Sequence, residues 1–220
     1  MKAIQAGILN IYQLELGVIR TNCYVVMNRE TKDTIIIDPA DSEEVIADEI
    51  EKHDCKVKGI FLTHGHFDHI YAAVPLARRY RVSLYAGQKE RELLTDFKVN
   101  CSTMIERPIE IEADEWLTDH QKITLGSLSF EVIETPGHTK GSVCYYWKED
   151  KVLFSGDTLF LESLGRTDLP TGNSAQILTS LRDKIIVLPE ETLVLTGHGS
   201  STTIGYERKN NPYVEDNFWE

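Results

Sequence analysis

Cysteines are few in this sequence, and no apolar run is long. The four cysteines lack both the close pairing of a zinc ribbon and the density of a disulfide framework, so we expect reduced packing residues: Cys23, Cys55, Cys101 and Cys144. No stretch is long enough to cross a membrane, and the first residues lack the apolar core and cleavage site of a secretory signal. These absences predict a cytoplasmic protein with no membrane partner.

Positive charge is also scarce. The chain has 23 lysines and arginines against 35 aspartates and glutamates, which gives a formal net charge of -12. The excess acid is spread along the chain, and a negative field of this kind disfavours a polyanionic partner. We therefore expect no nucleic acid partner and a small-molecule substrate instead. Composition leaves the oligomeric state open.

No linker, low-complexity segment or repeat divides the chain, so we expect a single domain over residues 1–220. Short apolar and β-branched runs predict strands at 4–11, 23–27, 34–37, 57–62, 82–86, 123–125, 128–134, 142–147, 152–154 and 192–195. Helices are predicted at 41–52, 70–80 with a kink at Pro75, 88–97, 174–186 and near Ile204. Runs of strands followed by helices in each half are typical of two packed sheets with helices outside.

Three of the seven histidines fall within six residues, beside an aspartate: His64, His66, Asp68 and His69. Imidazoles this close repel one another when protonated, and a buried cluster needs a partner for every ring nitrogen, so metal ions would resolve both problems. His64 and His66 end an extended segment and share a face, whereas Asp68 and His69 begin the next helix. The run can therefore begin two sites. We expect zinc, although iron and manganese suit the same ligands.

Three further candidates stand in loops just past predicted strands. His138 follows the strand at 128–134, Asp157 follows 152–154, and His198 follows 192–195. Each loop contains glycine, which permits tight turns, and the carboxyl ends of strands are where open sheets collect their sites. With the histidine run they supply enough ligands for two ions that share Asp157. The remaining histidines, His53 and His120, have no such context and are expected on the surface.

Four blocks in order resemble the metallo-β-lactamase fold superfamily, and within it the compact form of the glyoxalase II-like (hydroxyacylglutathione hydrolase-like) branch: THGHFDH at 63–69, TPGHT at 135–139, SGDTLF at 155–160 and TGHG at 196–199. The resemblance implies an α/β (α+β) fold, a four-layer αββα sandwich. It also implies two divalent metal ions per chain, one on His64, His66 and His138, the other on Asp68, His69 and His198, with Asp157 bridging.

The activity that this resemblance implies is thioester hydrolysis, for example of an S-2-hydroxyacylglutathione, by a hydroxide that bridges the two metals, with Asp68 and Asp157 as catalytic residues. The glutathione-binding residues are altered. Where the family that the chain resembles has a lysine and a tyrosine, this sequence has Arg166 and Asp168. We also expect the family's C-terminal helical extension, which holds glutathione, to be missing, because the sequence reaches only Glu220. Arg166 could still bind a substrate carboxylate. Asp38 is expected either to orient a ligand or to end its strand in a simple Asp-Pro turn.

Two other functions remain open. A persulfide dioxygenase of the same branch uses a single iron, for which His64, His138 and Asp157 would suffice. A non-catalytic metal-binding module is the alternative from a different class. A lactamase and an RNA-processing nuclease fit less well, because the ligand pattern follows the glyoxalase branch and no basic surface is visible.

Overall fold

Two large β-sheets form the centre of the structure, which a computed structural model describes for residues 1–214. Residues 215–220 of the predicted domain lie outside the described residues. The first sheet contains, in spatial order, β1 (Lys2–Ala6), β2 (Leu9–Leu16), β3 (Thr21–Asn28), β4 (Asp33–Ile37), β5 (Lys56–Phe61), β6 (Leu84–Gly87) and β7 (Glu115–Leu117). Its first four strands pair antiparallel, and the pairs from β4 to β7 are parallel.

Helices make the connections between the parallel strands, as parallel pairing requires. Helix α1 (Glu43–Lys52) joins β4 to β5, and α2 (Phe67–Ile70) with α3 (Ala73–Tyr80) joins β5 to β6. A short helix, α4 (Arg91–Leu94), follows a 3-10 turn after β6.

The second sheet has the order β15-β14-β11-β10-β9-β8. Its strands are β8 (Lys122–Leu125), β9 (Leu128–Glu134), β10 (Val143–Trp147), β11 (Val152–Gly156), β14 (Leu193–Thr196) and β15 (Thr202–Thr203). Between β11 and β14 the chain forms a small hairpin of β12 (Leu159–Phe160) and β13 (Ser163–Leu164), then α5 (Ser174–Thr179), which continues as a π-helical segment, Ser180–Ile185. Helix α6 (Ile204–Asn210) follows β15.

Three apolar layers hold the elements together. The central layer lies between the sheets, where Phe61 of β5 packs against Phe130 of β9 and Tyr145 of β10. The outer layers pack α1 and α3 on the first sheet and the helices after residue 174 on the second. Every residue of β3 is buried because both faces of its sheet are covered, which explains its unbroken apolar run. The predicted αββα sandwich is confirmed.

The sandwich brings the ends of distant strands to one edge. Strands β4 and β5 run parallel in the first sheet, so the segments that follow them leave at the same edge. In the second sheet β9 and β11 both pair antiparallel with β10, and β14 is parallel to β11, so these three also end together. The predicted ligand loops follow these strands.

Local predictions were wrong at three places. The strand predicted at 4–11 is a hairpin, because Gly7 takes a left-handed turn (φ 53°) between β1 and β2. The helix predicted at 70–80 is broken between Ile70 and Ala73, and Pro75 lies in the first turn of α3, where its missing N–H costs nothing. The helix predicted at 88–97 ends at Leu94. No helix within the described residues has the length and apolar character of a membrane span.

Candidate metal centre

All seven predicted ligands meet in one cluster at the edge where the strands end. Three groups of side chains present ligand atoms that lie within 4.8 Å of one another. The first trio is His64, His66 and His138; the second trio is Asp68, His69 and His198; a third group joins His64, His69 and Asp157. The predicted division into two ligand sets therefore corresponds to two sets in space.

Asp157 lies between the two trios. Its Oδ2 is 3.5 Å from His138 Nε2 in the first trio and 3.5 Å from His198 Nε2 in the second, and its Oδ1 is 3.6 Å from His69 Nε2. A single carboxylate, on the loop after β11, thus faces both ligand sets.

Several polar atoms in the cluster are buried without a hydrogen-bond partner: Nε2 of His64, of His66 and of His69, and Oδ1 of Asp157. Each buried, unpaired polar atom costs about 1–3 kcal/mol, so a cluster of them is not expected in a purely structural core. Neutral imidazole nitrogen and carboxylate oxygen are the donors that zinc, iron and manganese accept. The donor set fits divalent metal ions, and these histidines and aspartates form a metal-binding site.

Hydrogen bonds at the outer nitrogens turn the inner nitrogens of three imidazoles toward the cluster. His69 Nδ1 donates to Asp38 Oδ2 at 3.0 Å, and His138 Nδ1 donates to the carbonyl oxygen of Arg166 at 2.7 Å. His64 Nδ1 lies 3.1 Å from the Thr63 hydroxyl, which itself donates to Asp38. With the proton on Nδ1, the lone pair of Nε2 is available to an ion.

Asp38 therefore does more than end a strand. It is buried after β4 and also accepts the backbone N–H of Thr63 at 2.7 Å, so one carboxylate contacts the start of the histidine run and the ring of His69. Of the two alternatives for Asp38, its contacts favour the one in which it orients a ligand.

The charges of the cluster are coupled. Burial, together with the neighbouring His138, lowers the pKa of His66 to about 3, so this ring is neutral at pH 7. Burial alone would also lower the pKa of His69, but Asp68, Asp38 and Asp157 outweigh it and raise this pKa to about 10. Burial would raise the pKa of Asp68, yet His69 and His198 hold it well below its usual range. Protons on the histidines can thus balance the carboxylates of the site, and divalent ions can replace those protons.

Glycine is required where the second trio meets Asp157. A Cβ atom on Gly197 would lie 2.1 Å from Asp157 Oδ1 and 3.0 Å from His69 Cε1. The backbone before His198 can approach the bridging carboxylate only without a side chain.

Sequence reasoning missed the residues that hold the ligand loops in place. Thr21, at the start of β3, donates its hydroxyl to Asp68 Oδ2 at 2.7 Å. The side chain of Asn22 donates to the carbonyl oxygens of Thr196 and Gly199, on either side of His198. Glu90, only 1% exposed, accepts hydrogen bonds from the loops of the first trio. No local pattern in the sequence distinguishes these residues from ordinary strand or helix residues.

Two remaining predictions have different outcomes. His120 is exposed, as expected, but His53 is half-buried, because its ring stacks on Tyr12 with 4.1 Å between ring centroids and pairs with Glu49 at 2.8 Å. His53 is therefore only partly at the surface, with 26% of its side chain exposed. Neither residue belongs to the cluster.

Arg166 lies at the rim of the pocket that opens onto the cluster. Its guanidinium donates two hydrogen bonds of 2.7 Å to the carboxylate of Asp168. The group that was expected to bind a substrate carboxylate is thus already paired within the chain.

Proteins from several bacteria resemble the chain in sequence over nearly all of its length. The probable metallo-hydrolase YqgX of Bacillus subtilis (strain 168) is 36% identical, over 92% of this chain and 96% of its own. The hydroxyacylglutathione hydrolase GloC of Haemophilus influenzae is 33% identical, over 94% of this chain and 98% of its own.

Solved structures share both fold and sequence. The B3 metallo-beta-lactamase BLEG-1 superposes with a TM-score of 0.88 at 40% identity, covering 93% of this chain and 99% of its own. TTHA1623 in a di-iron-bound form has a TM-score of 0.83 at 31% identity, covering 92% and 99%. ETHE1 from Myxococcus xanthus has a TM-score of 0.73 at 28% identity, covering 92% and 83%. The family model of the metallo-beta-lactamase superfamily matches residues 16–198, and the chain belongs to this superfamily.

Proposed function

We propose that this protein is a metal-dependent thioester hydrolase of the hydroxyacylglutathione hydrolase type, acting on an S-2-hydroxyacylglutathione or a related thioester. The observation that carries the proposal is the position of Asp157 between two complete ligand trios. Two trios with one shared carboxylate suit a pair of ions better than one, and a hydrolytic site needs ligand positions that remain open to water.

In this proposal the two trios hold two divalent ions, and we propose zinc, with iron or manganese suiting the same donors. The bound ions supply a water molecule of lowered pKa and polarise the carbonyl group of the substrate. Asp157 and Asp68 are the catalytic carboxylates. Asp157 fixes the distance between the two ligand sets. Asp68 faces the pocket, where it can accept a hydrogen bond from the attacking water.

A thiolate leaving group would explain why the pocket, within the part of the chain that the structure describes, offers no separate general acid. A free thiol has a pKa of about 8.5, so a thiolate can depart without being protonated first. Within the described residues, the pocket lining contains no acid besides Asp68 and Asp157. The similarity to GloC supports the same class of reaction.

A persulfide dioxygenase is the second candidate, because His138 Nε2 lies 3.5 Å from Asp157 Oδ2, so these two ligands could serve one ion. His64, His138 and Asp157 would hold its single iron. Asp68, His69 and His198, which are buried or half-buried, would then bind no metal ion. The likeness to BLEG-1 adds β-lactam hydrolysis to the activities that must be tested.

One preparation can separate these functions. The purified protein, loaded with zinc, iron or manganese, is assayed with S-lactoylglutathione and simpler thioesters, with glutathione persulfide under oxygen, and with a chromogenic cephalosporin. We expect thioester turnover to exceed the other two activities. Folded, metal-loaded protein that turns over no thioester would overturn the proposal. Oxygen consumption with persulfide would favour the dioxygenase, and an inactive protein with full metal content would favour the non-catalytic module.

A further inference from the structure

The pocket that leads to the metal centre has apolar walls. It has a volume of ≈ 300 Å³, and the cluster residues His66, Asp68, His138, Asp157 and His198 form one side of it. The other side chains that line it are mostly apolar: Ile19, Phe67, Cys101, Met104, Ile105 and Leu169. A substrate that enters this pocket exchanges water for hydrocarbon on most of its surface.

Two of the apolar side chains that line the pocket are unusually exposed for their residue types. Met104 is 69% exposed and Ile19 is 46% exposed, and they come from segments far apart in the sequence. Large apolar side chains of separate segments that meet at the rim of a catalytic pocket offer surface that a ligand can cover.

The pocket offers no unpaired cation. Arg166 is the one basic side chain among its lining residues in the described chain, apart from the cluster histidines, and two N–H groups of its guanidinium donate to Asp168. The negative charge of Asp168 offsets the positive charge of the guanidinium. A substrate carboxylate that approaches Arg166 would therefore meet the carboxylate of Asp168 and the negative field of a chain with net charge -12.

Glutathione is poorly matched to such a pocket, because its two carboxylates and its ammonium group are strongly hydrated at neutral pH. Desolvating charged groups without partners is costly. Methylene groups, by contrast, gain free energy when they are buried against side chains such as Ile105 and Leu169.

We propose, on the basis of the thioesterase function above, that the substrate is the related thioester of that proposal rather than an S-2-hydroxyacylglutathione. It carries an uncharged, apolar acyl group on a thiol that lacks the carboxylates of glutathione. Water adds its oxygen to the acyl carbon as the C–S bond breaks, and the sulfur leaves with the bonding electron pair. The products are a carboxylate and a thiol, and one proton passes to solvent.

The first test varies the substrate on the metal-loaded enzyme. Acetyl, butanoyl and hexanoyl groups are compared on two carriers, neutral N-acetylcysteamine and glutathione, with S-lactoylglutathione as reference. We expect kcat/KM to rise about fourfold for each methylene that the pocket buries, and the neutral carrier to be better for each acyl group. A flat or falling series, or a preference for glutathione carriers, would overturn this inference. No turnover of any thioester would instead overturn the proposed function.

The second test changes the pocket. Ile19→Ser should lower kcat/KM for the hexanoyl thioester about fourfold, the scale of one methylene that loses its contact, and leave the acetyl thioester within a factor of two. Val18→Ser is the matched control, because Val18 is adjacent, 77% exposed and absent from the pocket lining. Equal effects of the two variants, or an equal loss with both thioesters, would contradict the apolar wall.

The third test removes the negative charge that is paired with Arg166. Asp168→Asn should raise kcat/KM for glutathione thioesters about threefold relative to neutral ones, the scale of an exposed ion pair. Glu191→Gln makes the same change of charge in an exposed pair with Lys151, before β11 and β14 and so at the opposite edge of the sheet. We expect no change in carrier preference for this control. An unchanged preference in Asp168→Asn would show that Arg166 does not select the carrier.

Discussion

The backbone N–H of Gly65 donates a hydrogen bond of 2.7 Å to Oε2 of the buried Glu90. Oε1 of the same carboxylate accepts the hydroxyl of Thr139 at 2.6 Å and the N–H of Gly141 at 2.7 Å. Gly65 separates two ligands of the first trio, and Thr139 follows the third. Glu90 therefore fixes the relative position of the two loops from which this trio is built.

Replacing Glu90 by glutamine should weaken both the fold and the metal site. All three partners of Glu90 donate, and the NH2 group of glutamine would face at least one of them, which costs about 1–3 kcal/mol for the group left unpaired. We expect that loss in urea unfolding of the metal-free protein, and weaker metal binding in titrations against a chelator.

Glu92→Gln is the control for this prediction, because Glu92 lies two residues further along, in α4, with its side chain 63% exposed, 3.6 Å from Lys140. We expect wild-type values for Glu92→Gln. Wild-type stability and metal affinity in Glu90→Gln would contradict the positioning role of Glu90.

Asp157→Asn tests the shared carboxylate. The variant keeps the shape of the side chain but removes the negative charge that faces both trios, so we expect fewer than two metal ions per chain and a fall in thioester turnover of about 10²-fold or more. Asp48→Asn, on the exposed face of α1, is the control for a lost carboxylate. The metal content, from elemental analysis, and kcat are measured on the same samples. Full metal content with undiminished turnover would contradict the role of Asp157 as a carboxylate shared between two ions.

Gly197→Ala tests the close approach of the last ligand loop to Asp157. Its Cβ would lie 2.1 Å from Asp157 Oδ1, so the carboxylate or the loop must move, and metal affinity should fall more than stability. At Gly199 a Cβ meets no atom within 4 Å, although the φ of 70° costs an alanine about 1–2 kcal/mol. Gly199→Ala should therefore lose stability but keep its metal affinity. Equal metal affinities in the two variants would refute the steric argument.

Asp119 gives a pH-dependent prediction away from the metal. Burial alone would raise its pKa, but hydrogen bonds from Lys184 and from the N–H of Glu134 lower it below 3.8. A lowered pKa in the folded state means that the stabilisation is complete above pH 3.8 and is lost as the pH falls through the folded-state value. Asp119→Asn should thus be less stable by about 1 kcal/mol at pH 7. Urea unfolding of both metal-free proteins should show this gap narrowing as the pH falls below 3.8, and a gap that is undiminished at pH 2.5 would contradict it.

The gathering of the seven cluster residues follows from the sequence because each stands at the end of a predicted strand or in the run beside one. Strands that end at one edge place their loops together, so spacing along the chain becomes proximity in space. The residues that secure the cluster are different. In the sequence, Glu90 lies in a charged stretch that predicts an exposed helix, and Thr21 is indistinguishable from an ordinary strand residue. Their roles depend on contacts with loops far along the chain, which the local sequence does not indicate.

The local errors have a similar origin. Gly7 turns the chain by a single left-handed residue between two apolar stretches, so the apolar pattern of the sequence does not mark the turn. The substrate pocket could not be foreseen, since the pairing of Arg166 with Asp168 and the presence of Ile19 and Met104 in the lining of one pocket depend on the folded chain.

The most direct test of the two-metal account is a stepwise metal titration of the metal-free protein, with bound metal and thioester turnover measured on the same samples. The account predicts two equivalents bound per chain, with turnover reaching its plateau only as the second site fills. Saturation at one iron per chain, with oxygen consumption on persulfide and no thioester hydrolysis, would contradict it.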